Sequence, residues 1–170
     1  MTDIIGFENS IKALDLDIKN KNILLVGAGG IGTTLSHYFL TEGVKKVRIH
    51  DVNNEKSEQL CEAIRNKSPK FNFKIWNYNK NNFDYLINAS PAGTNNEYPV
   101  HQNIIKNSKV VVDFVLSNKK TKLLELAKKN NSKIISGYEI LINQIPFMLK
   151  FFGFKKISKS EMYQIKNQYI

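Results

Sequence analysis

The chain has one cysteine, Cys61, and two arginines, Arg48 and Arg65, and it shows no long apolar run, no internal repeat and no low-complexity linker. Each scarcity removes a class of explanation. A lone Cys61, set between Leu60 and Ile64 in a helical pattern, cannot form an internal disulfide and reads as a small packed residue. No His or basic group is fixed beside it in sequence to make it a nucleophile. No stretch approaches the ~18 to 20 consecutive apolar residues that cross a bilayer, and the start lacks the basic region and apolar core of a secretion signal. These absences predict a cytoplasmic protein with no membrane partner. His37, His50 and His101 have no metal-ligand spacing and no paired cysteine, so no metal site is expected.

The shortage of arginine also bears on charge. The formal net charge of +10 would ordinarily raise nucleic acid as a partner. Bidentate phosphate and guanine contacts favour Arg, however, and here 25 basic residues are almost all lysines, scattered rather than striped. The excess reads as a solvated basic surface, with no nucleic-acid partner.

What is present is enough for one domain: 170 residues, 42% of them hydrophobic. Short aliphatic runs predict strands at 22–27, 46–51, 71–76, 85–90, 109–115 and 133–136, composed as strands buried on both faces should be. Amphipathic stretches predict helices at 30–41, 54–66, 121–130 and 138–152, with an opening helix near 7–14. Ser158 and Glu161 have capping-box spacing ahead of Met162 and Ile165, which predicts a closing helix with a thin apolar face. The polar run at 77–82 predicts an exposed loop. Regular alternation of strand and helix predicts an α/β fold, a Rossmann-type doubly wound parallel sheet with helices on both faces. Residues 1–170 are read as a single domain with two appended terminal helices.

The chemistry begins at "NILLVGAGGIG", where Gly27, Gly29 and Gly32 form G-x-G-x-x-G directly after an apolar strand and at the head of a helix. The first glycine turns the chain, the second admits a pyrophosphate close to the backbone, and the third lets the helix pack on the sheet. Ala28, Gly30 and Ile31 complete the loop, and the helix N-terminus offers free N–H groups to an anion. A glycine-rich turn that binds nothing would look the same in the loop alone. Asp51 ends the second predicted strand, at the ~20-residue spacing where a carboxylate accepts ribose hydroxyls. Like charge at Asp51 would repel a 2′-phosphate, and Val52, Asn53 and Asn54 follow in place of an arginine, so NAD is expected and NADP less so.

Five stretches in the same order resemble the cofactor-binding half of the shikimate dehydrogenase family, which includes quinate and shikimate dehydrogenases. "TDIIGF" resembles its N-T-D-x-x-G-F segment, and "VGAGGIG" its glycine loop. "DYLINASPAGT" and "VVVDFVLSNKKTKLLELAKK" are similar to its next two conserved segments, and "SGYEILINQIPFMLKFFG" to its last helix. Together they run from Thr2 to about Gly153. Local sequence reads Asp3 as an N-cap or terminal residue. The resemblance instead implies that Asp3 lines the substrate cleft, binding a ring hydroxyl and helping the proton relay beside a Lys from a preceding domain. It implies that Gln144 holds substrate, and that Asn88 to Gly93, with Ala89, Ser90 and Pro91, form a loop beneath the cofactor. Val115 and Gly137 match positions near the nicotinamide, with Asp51 and Asn53 on the adenosine side.

The chain also departs from the family. Where the second strand of the family commonly ends Asn-Arg-Thr, this chain has Asp51-Val52-Asn53, which resembles the NAD-using quinate and shikimate branch. Leu116 replaces a family Tyr and Ile140 a family Met. The substrate domain of the family, with its catalytic Lys, has no counterpart in the sequence. The expected function is the cofactor half of a shikimate or quinate dehydrogenase-like oxidoreductase, moving hydride between NAD(P) and a hydroxylated ring carboxylate. It is expected to be inactive until a substrate domain is supplied, as a separate chain or through a homodimer. The other reading is a non-catalytic NAD-binding module that regulates a partner.

Overall fold

The computed structural model describes residues 2–79, 82–117, 119–154, 158, 160–162 and 164. Its elements run α1 (Thr2–Ala13), β1 (Asn22–Val26), α2 (Gly30–Thr41), β2 (Lys46–His50), α3 (Asn54–Lys67), β3 (Phe73–Ile75), β4 (Phe83–Asn88), α4 (Gln102–Lys106), β5 (Ser108–Asp113), α5 (Lys122–Lys129), β6 (Lys133–Ile135) and α6 (Gly137–Phe151). All six strands pair in parallel in the order β3-β2-β1-β4-β5-β6. The doubly wound sheet expected from the sequence is therefore present.

Two apolar layers sandwich the sheet. On one face Leu35 and Phe39 of α2, Leu60, Cys61 and Ile64 of α3, and Phe7 and Ile11 of α1 pack against Ile23, Leu25, Val47, Ile49 and Ile87. On the other, Ile104 and Ile105 of α4 and Leu123, Leu124 and Ala127 of α5 cover Leu24, Leu86 and Val111. Central strands β1 and β4 supply residues to both layers, which is why their sequences read as unbroken apolar runs. The outer strands β3 and β6 are shorter than expected and partly exposed, since an edge strand has a neighbour on one side only.

Two expectations are corrected and a third holds. The opening helix begins at Thr2 rather than near Phe7, because Gly6 lets α1 press onto α6: a Cβ there would lie 2.3 Å from the Ile140 carbonyl oxygen. Tertiary packing thus extends a helix that local signals start later. His101, read in a polar loop, caps the short α4, its Nδ1 accepting from the Asn103 N–H at 3.2 Å. In the closing stretch Ser158 and Glu161 do form the capping pair, the Ser158 N–H donating to Glu161 Oε2 at 2.8 Å, and Met162 is buried. Ile165 lies outside the described residues.

Cys61 is packed as expected. Burial pushes its thiol up to about 11, outweighing the opposing influence of Arg65 and Arg48. The native chain is therefore expected to resist a thiol reagent at pH 8 and to take up one equivalent once unfolded in urea; fast native labelling would show that α3 does not cover the thiol.

Candidate functional site

In a sheet of order β3-β2-β1-β4-β5-β6 the chain leaves β1 towards one side and β4 towards the other, so a crevice opens between their carboxyl ends. The glycine loop sits at this crevice. Gly27, at φ 102°, turns the chain out of β1 and donates its N–H to the His50 carbonyl at 2.7 Å. A Cβ there would stand 2.8 Å from the Ala89 carbonyl carbon, so the turn also presses on the segment after β4. A Cβ on Gly32 would meet the Gly27 carbonyl oxygen at 1.9 Å, which fixes α2 against its own loop.

Gly29 and Gly30 differ from these two. Neither would meet any protein atom within 4 Å if given a Cβ, so nothing in the fold itself requires them to be glycine. Gly29 is the N-cap of α2, and no side chain caps the helix. The first-turn N–H groups, which have no intrahelical acceptor, thus face open space with the positive end of the helix dipole behind them. This cradle fits a dinucleotide pyrophosphate. Beside it lies a cavity of about 340 Å³ lined by Gly30, Ile31, Ala89, Ser90, Pro91, Thr94, Phe114, Val115 and Leu116. Six residues expected near a cofactor, from three separate stretches, are among them. Gly137 stands behind this wall, where a Cβ would come within 2.6 Å of the Val115 carbonyl oxygen.

Two buried polar residues shape the cavity: Asn88, which opens the stretch expected beneath the cofactor, and Asp113, which the sequence reading did not single out. Asp113, at the end of β5, is fully buried and accepts from the Thr121 hydroxyl (2.5 Å), the Asn88 amide (3.0 Å) and the Val115 N–H (3.1 Å). Asn88, at the end of β4, also donates to the Ala92 carbonyl and accepts from the Ser90 hydroxyl and N–H. The pair ties the loops after β4 and β5 to each other and to α5. Burial raises the pKa of Asp113 while its three hydrogen bonds oppose the rise. The signal in the sequence was a polar residue ending each of two apolar strands, in "YLINAS" and "VVVDFV".

Asp3 occupies the first turn of α1, half-buried, and Gln144 lies on α6 with 7% exposure. The two helices touch in step, Gly6 at Ile140 and then Asn9 and Ser10 at Asn143, so they run in the same direction. Because α6 starts where β6 ends, Asp3 lies at the carboxyl edge of the sheet, as the glycine loop does, and Gln144 lies two turns further from it. Gln144 Oε1 is buried and has no partner among the described residues. Ile140 is buried against α1, whereas Leu116 is exposed at the cavity rim. A larger concavity of about 520 Å³ lies between α1, α6 and Met162, and the glycine loop contributes nothing to it.

The expected preference for NAD does not hold. Asp51 uses both oxygens on neighbouring backbone: Oδ2 accepts from the Ala28 N–H at 2.7 Å and Oδ1 from the Asn53 N–H at 2.8 Å. Asn53 is the N-cap of α3, its side chain accepting from the Lys56 N–H. An acid at this strand end therefore has a structural task that says little about ribose or its phosphate. Known proteins overturn the expectation directly. A shikimate dehydrogenase (NADP(+)) of Nitrosopumilus maritimus is 33% identical over 147 residues, covering 84% of this chain and 54% of that protein. One from Caldanaerobacter subterraneus is 30% identical over 155 residues, covering 86% and 54%. Both carry NADP(+) in their names, as do six further relatives. A crystal structure of a shikimate dehydrogenase in complex with NADP+ superposes with a TM-score of 0.82 at 27% identity, covering 99% of this chain and 62% of that one. The chain thus spans about half the length of the curated relatives it matches. No helix among the described residues is long and apolar enough to cross a membrane. The family described as shikimate / quinate 5-dehydrogenase matches residues 9–114, from within α1 through the glycine loop to the Asp113 network, and the chain belongs to it.

Proposed function

We propose that this chain is the NADP(H)-binding half of a shikimate dehydrogenase-type oxidoreductase, acting on a hydroxylated ring carboxylate of the shikimate or quinate kind. The observation that carries the reading is the open cradle at Gly29 and Gly30, glycines that the protein's own packing does not require. Gly27 to Gly32 and the first turn of α2 would hold the pyrophosphate. Asp51 and Asn53 would flank the adenosine ribose, with Lys56 the first cation after β2. Ala89, Ser90, Pro91 and Val115 would line the nicotinamide end, and Gly137 would let α6 approach it. The bound nicotinamide supplies the hydride acceptor or donor.

Asp3 is assigned to bind the reacting ring hydroxyl and to help hold its proton, from its place at the carboxyl edge of the sheet. Gln144 is assigned to a second substrate hydroxyl, and its orphaned buried Oε1 supports an acceptor role. The Asn88–Asp113 pair keeps the cavity walls rigid and touches no reactant.

The remaining half of the family's fold, packed against this chain, would supply the rest of the substrate cleft. A partner of that kind is supported by Phe147, Phe151, Phe152 and Phe154, all exposed along and beyond the end of α6.

Calorimetric titration with NADP(+) and NAD, followed by a shikimate- or quinate-dependent reduction assay on the same sample, tests the reading. The expected result is NADP(+) binding without turnover by the chain alone, and turnover once the other half of a relative is added. Absence of binding to either dinucleotide would refute it.

A further inference from the structure

We propose that the adenine ring of the dinucleotide rests on an aromatic shelf of His50, Trp76 and Tyr78 at the carboxyl ends of β2 and β3. This rests on the dinucleotide reading above. β2 ends at His50 and β3 at Ile75, and the Trp76 N–H donates to the Ile49 carbonyl at 2.8 Å, so Trp76 is held just past the strand end. The rings interlock: Trp76 and Tyr78 centroids are 4.5 Å apart at 39°, and His50 stands edge-on to both, at 5.9 and 5.7 Å. Tyr78 Oη lies 3.2 Å from His50 Nδ1.

The members of this cluster do different work. Trp76 is buried, edge-on to Phe83, and belongs to the core. Tyr78 is 62% exposed and has φ 63°, a left-handed conformation that a bulky L-residue adopts only at a cost. An outward-facing ring on a strained backbone gains little for the fold, and such outliers gather at ligand sites.

Position supplies the ligand. Asp51 follows His50 directly and holds the Ala28 N–H of the glycine loop, so the shelf lies next to the pyrophosphate cradle on the β2 side. Val52, 97% exposed, offers a second apolar surface there. The helices α2 and α3 cover the opposite face of the sheet, while α4 and α5 contact β5 and β6 and leave this face of β2 to the aromatic cluster. A purine has a π-face that stacks on aromatic rings. Burial lowers the pKa of His50 against the opposing pull of Asp51, which favours an uncharged ring beneath the base.

Trp76 is the only tryptophan of the chain and reports directly on the shelf. Adenosine 2′,5′-bisphosphate is expected to change its emission saturably, and nicotinamide mononucleotide to leave it unchanged. Tyr78→Gly removes the ring and accepts the positive φ without strain, so it should unfold no earlier than the wild type. It is expected to bind NADP(+) at least ~5-fold more weakly, with Tyr78→Phe within twofold of wild type. Full NADP(+) binding by Tyr78→Gly would overturn the shelf alone. Failure of the wild type to bind NADP(+) would overturn both the shelf and the dinucleotide reading.

Discussion

Gly29→Ala is expected to fold like the wild type and to bind NADP(+) ~30-fold more weakly. The N-cap backbone of Gly29, at φ −78° and ψ −163°, is open to any L-residue. Its new Cβ would meet no protein atom within 4 Å, so the stability loss should stay near ~0.5 kcal/mol, the difference between Gly and Ala at an N-cap. The methyl would project where a phosphate must approach the first turn of α2. Losing one charge-assisted hydrogen bond there costs ~2 kcal/mol, which is the ~30-fold. Gly32→Ala gives the opposite pattern. Its Cβ would sit 1.9 Å from the Gly27 carbonyl oxygen, and neither backbone can yield without shifting α2 off the sheet. Overpacking of this kind costs ~3 kcal/mol, so stability and binding should fall together. Thermal unfolding and calorimetry on the two variants check both halves. A Gly29→Ala chain that binds NADP(+) normally would remove the cradle from the site.

Asp113→Ala is expected to lose ~3 to 5 kcal/mol of folding stability, a large part of what a domain this size commonly has. It would strand the buried Thr121 hydroxyl and Asn88 amide and take the acceptor from the half-buried Val115 N–H. Asp113→Asn should lose only ~1 kcal/mol, because its oxygen can keep Asn88 and Val115 while the Thr121 hydroxyl turns to accept from its amide. The two also separate in pH. Burial raises the folded pKa of Asp113 above its unfolded value, so the folded chain holds the proton more firmly. The stability this adds is present below the ordinary carboxylate range and is lost as pH rises through the folded pKa. Relative to Asp113→Asn, which cannot titrate, the wild type should therefore gain stability as pH falls from 7 to 4, measured by urea unfolding at each pH. An equal pH profile in both chains would show that Asp113 is not perturbed.

Most of the framework was legible because its signals are local. Strand runs such as "NILLV" and "KVVVD" are composed for burial on both faces, as the strands of a covered parallel sheet are, and the bounds of α2 match the sequence reading. The glycine loop was legible too, although what each glycine does required coordinates: Gly27 and Gly32 serve packing, and Gly29 does not. The rest depended on long-range partners. Asp51 read as a ribose ligand until its oxygens were found on Ala28 and Asn53, and relatives overturned the cofactor preference built on it. The early start of α1 depends on Ile140, and the burial of Asp113 on Asn88 and Thr121, residues distant in sequence. The shelf at Tyr78 has no sequence signature, since an aromatic residue in a polar loop is common and its positive φ is visible only in three dimensions.

The pairing of α1 with α6 has a consequence for synthesis. Asn9 and Asn143, hydrogen-bonded to each other, are 134 residues apart, so α1 is made long before the helix it packs against. While the ribosome works through the intervening residues, Gly6, Phe7 and Ile11 have no α6 to close over them, and the nascent sheet waits with part of one face uncovered. Joining contacts so distant along the chain is slow. The chain should therefore depend on holding factors until α6 leaves the exit tunnel, and truncations short of Ile140 should be the ones that aggregate.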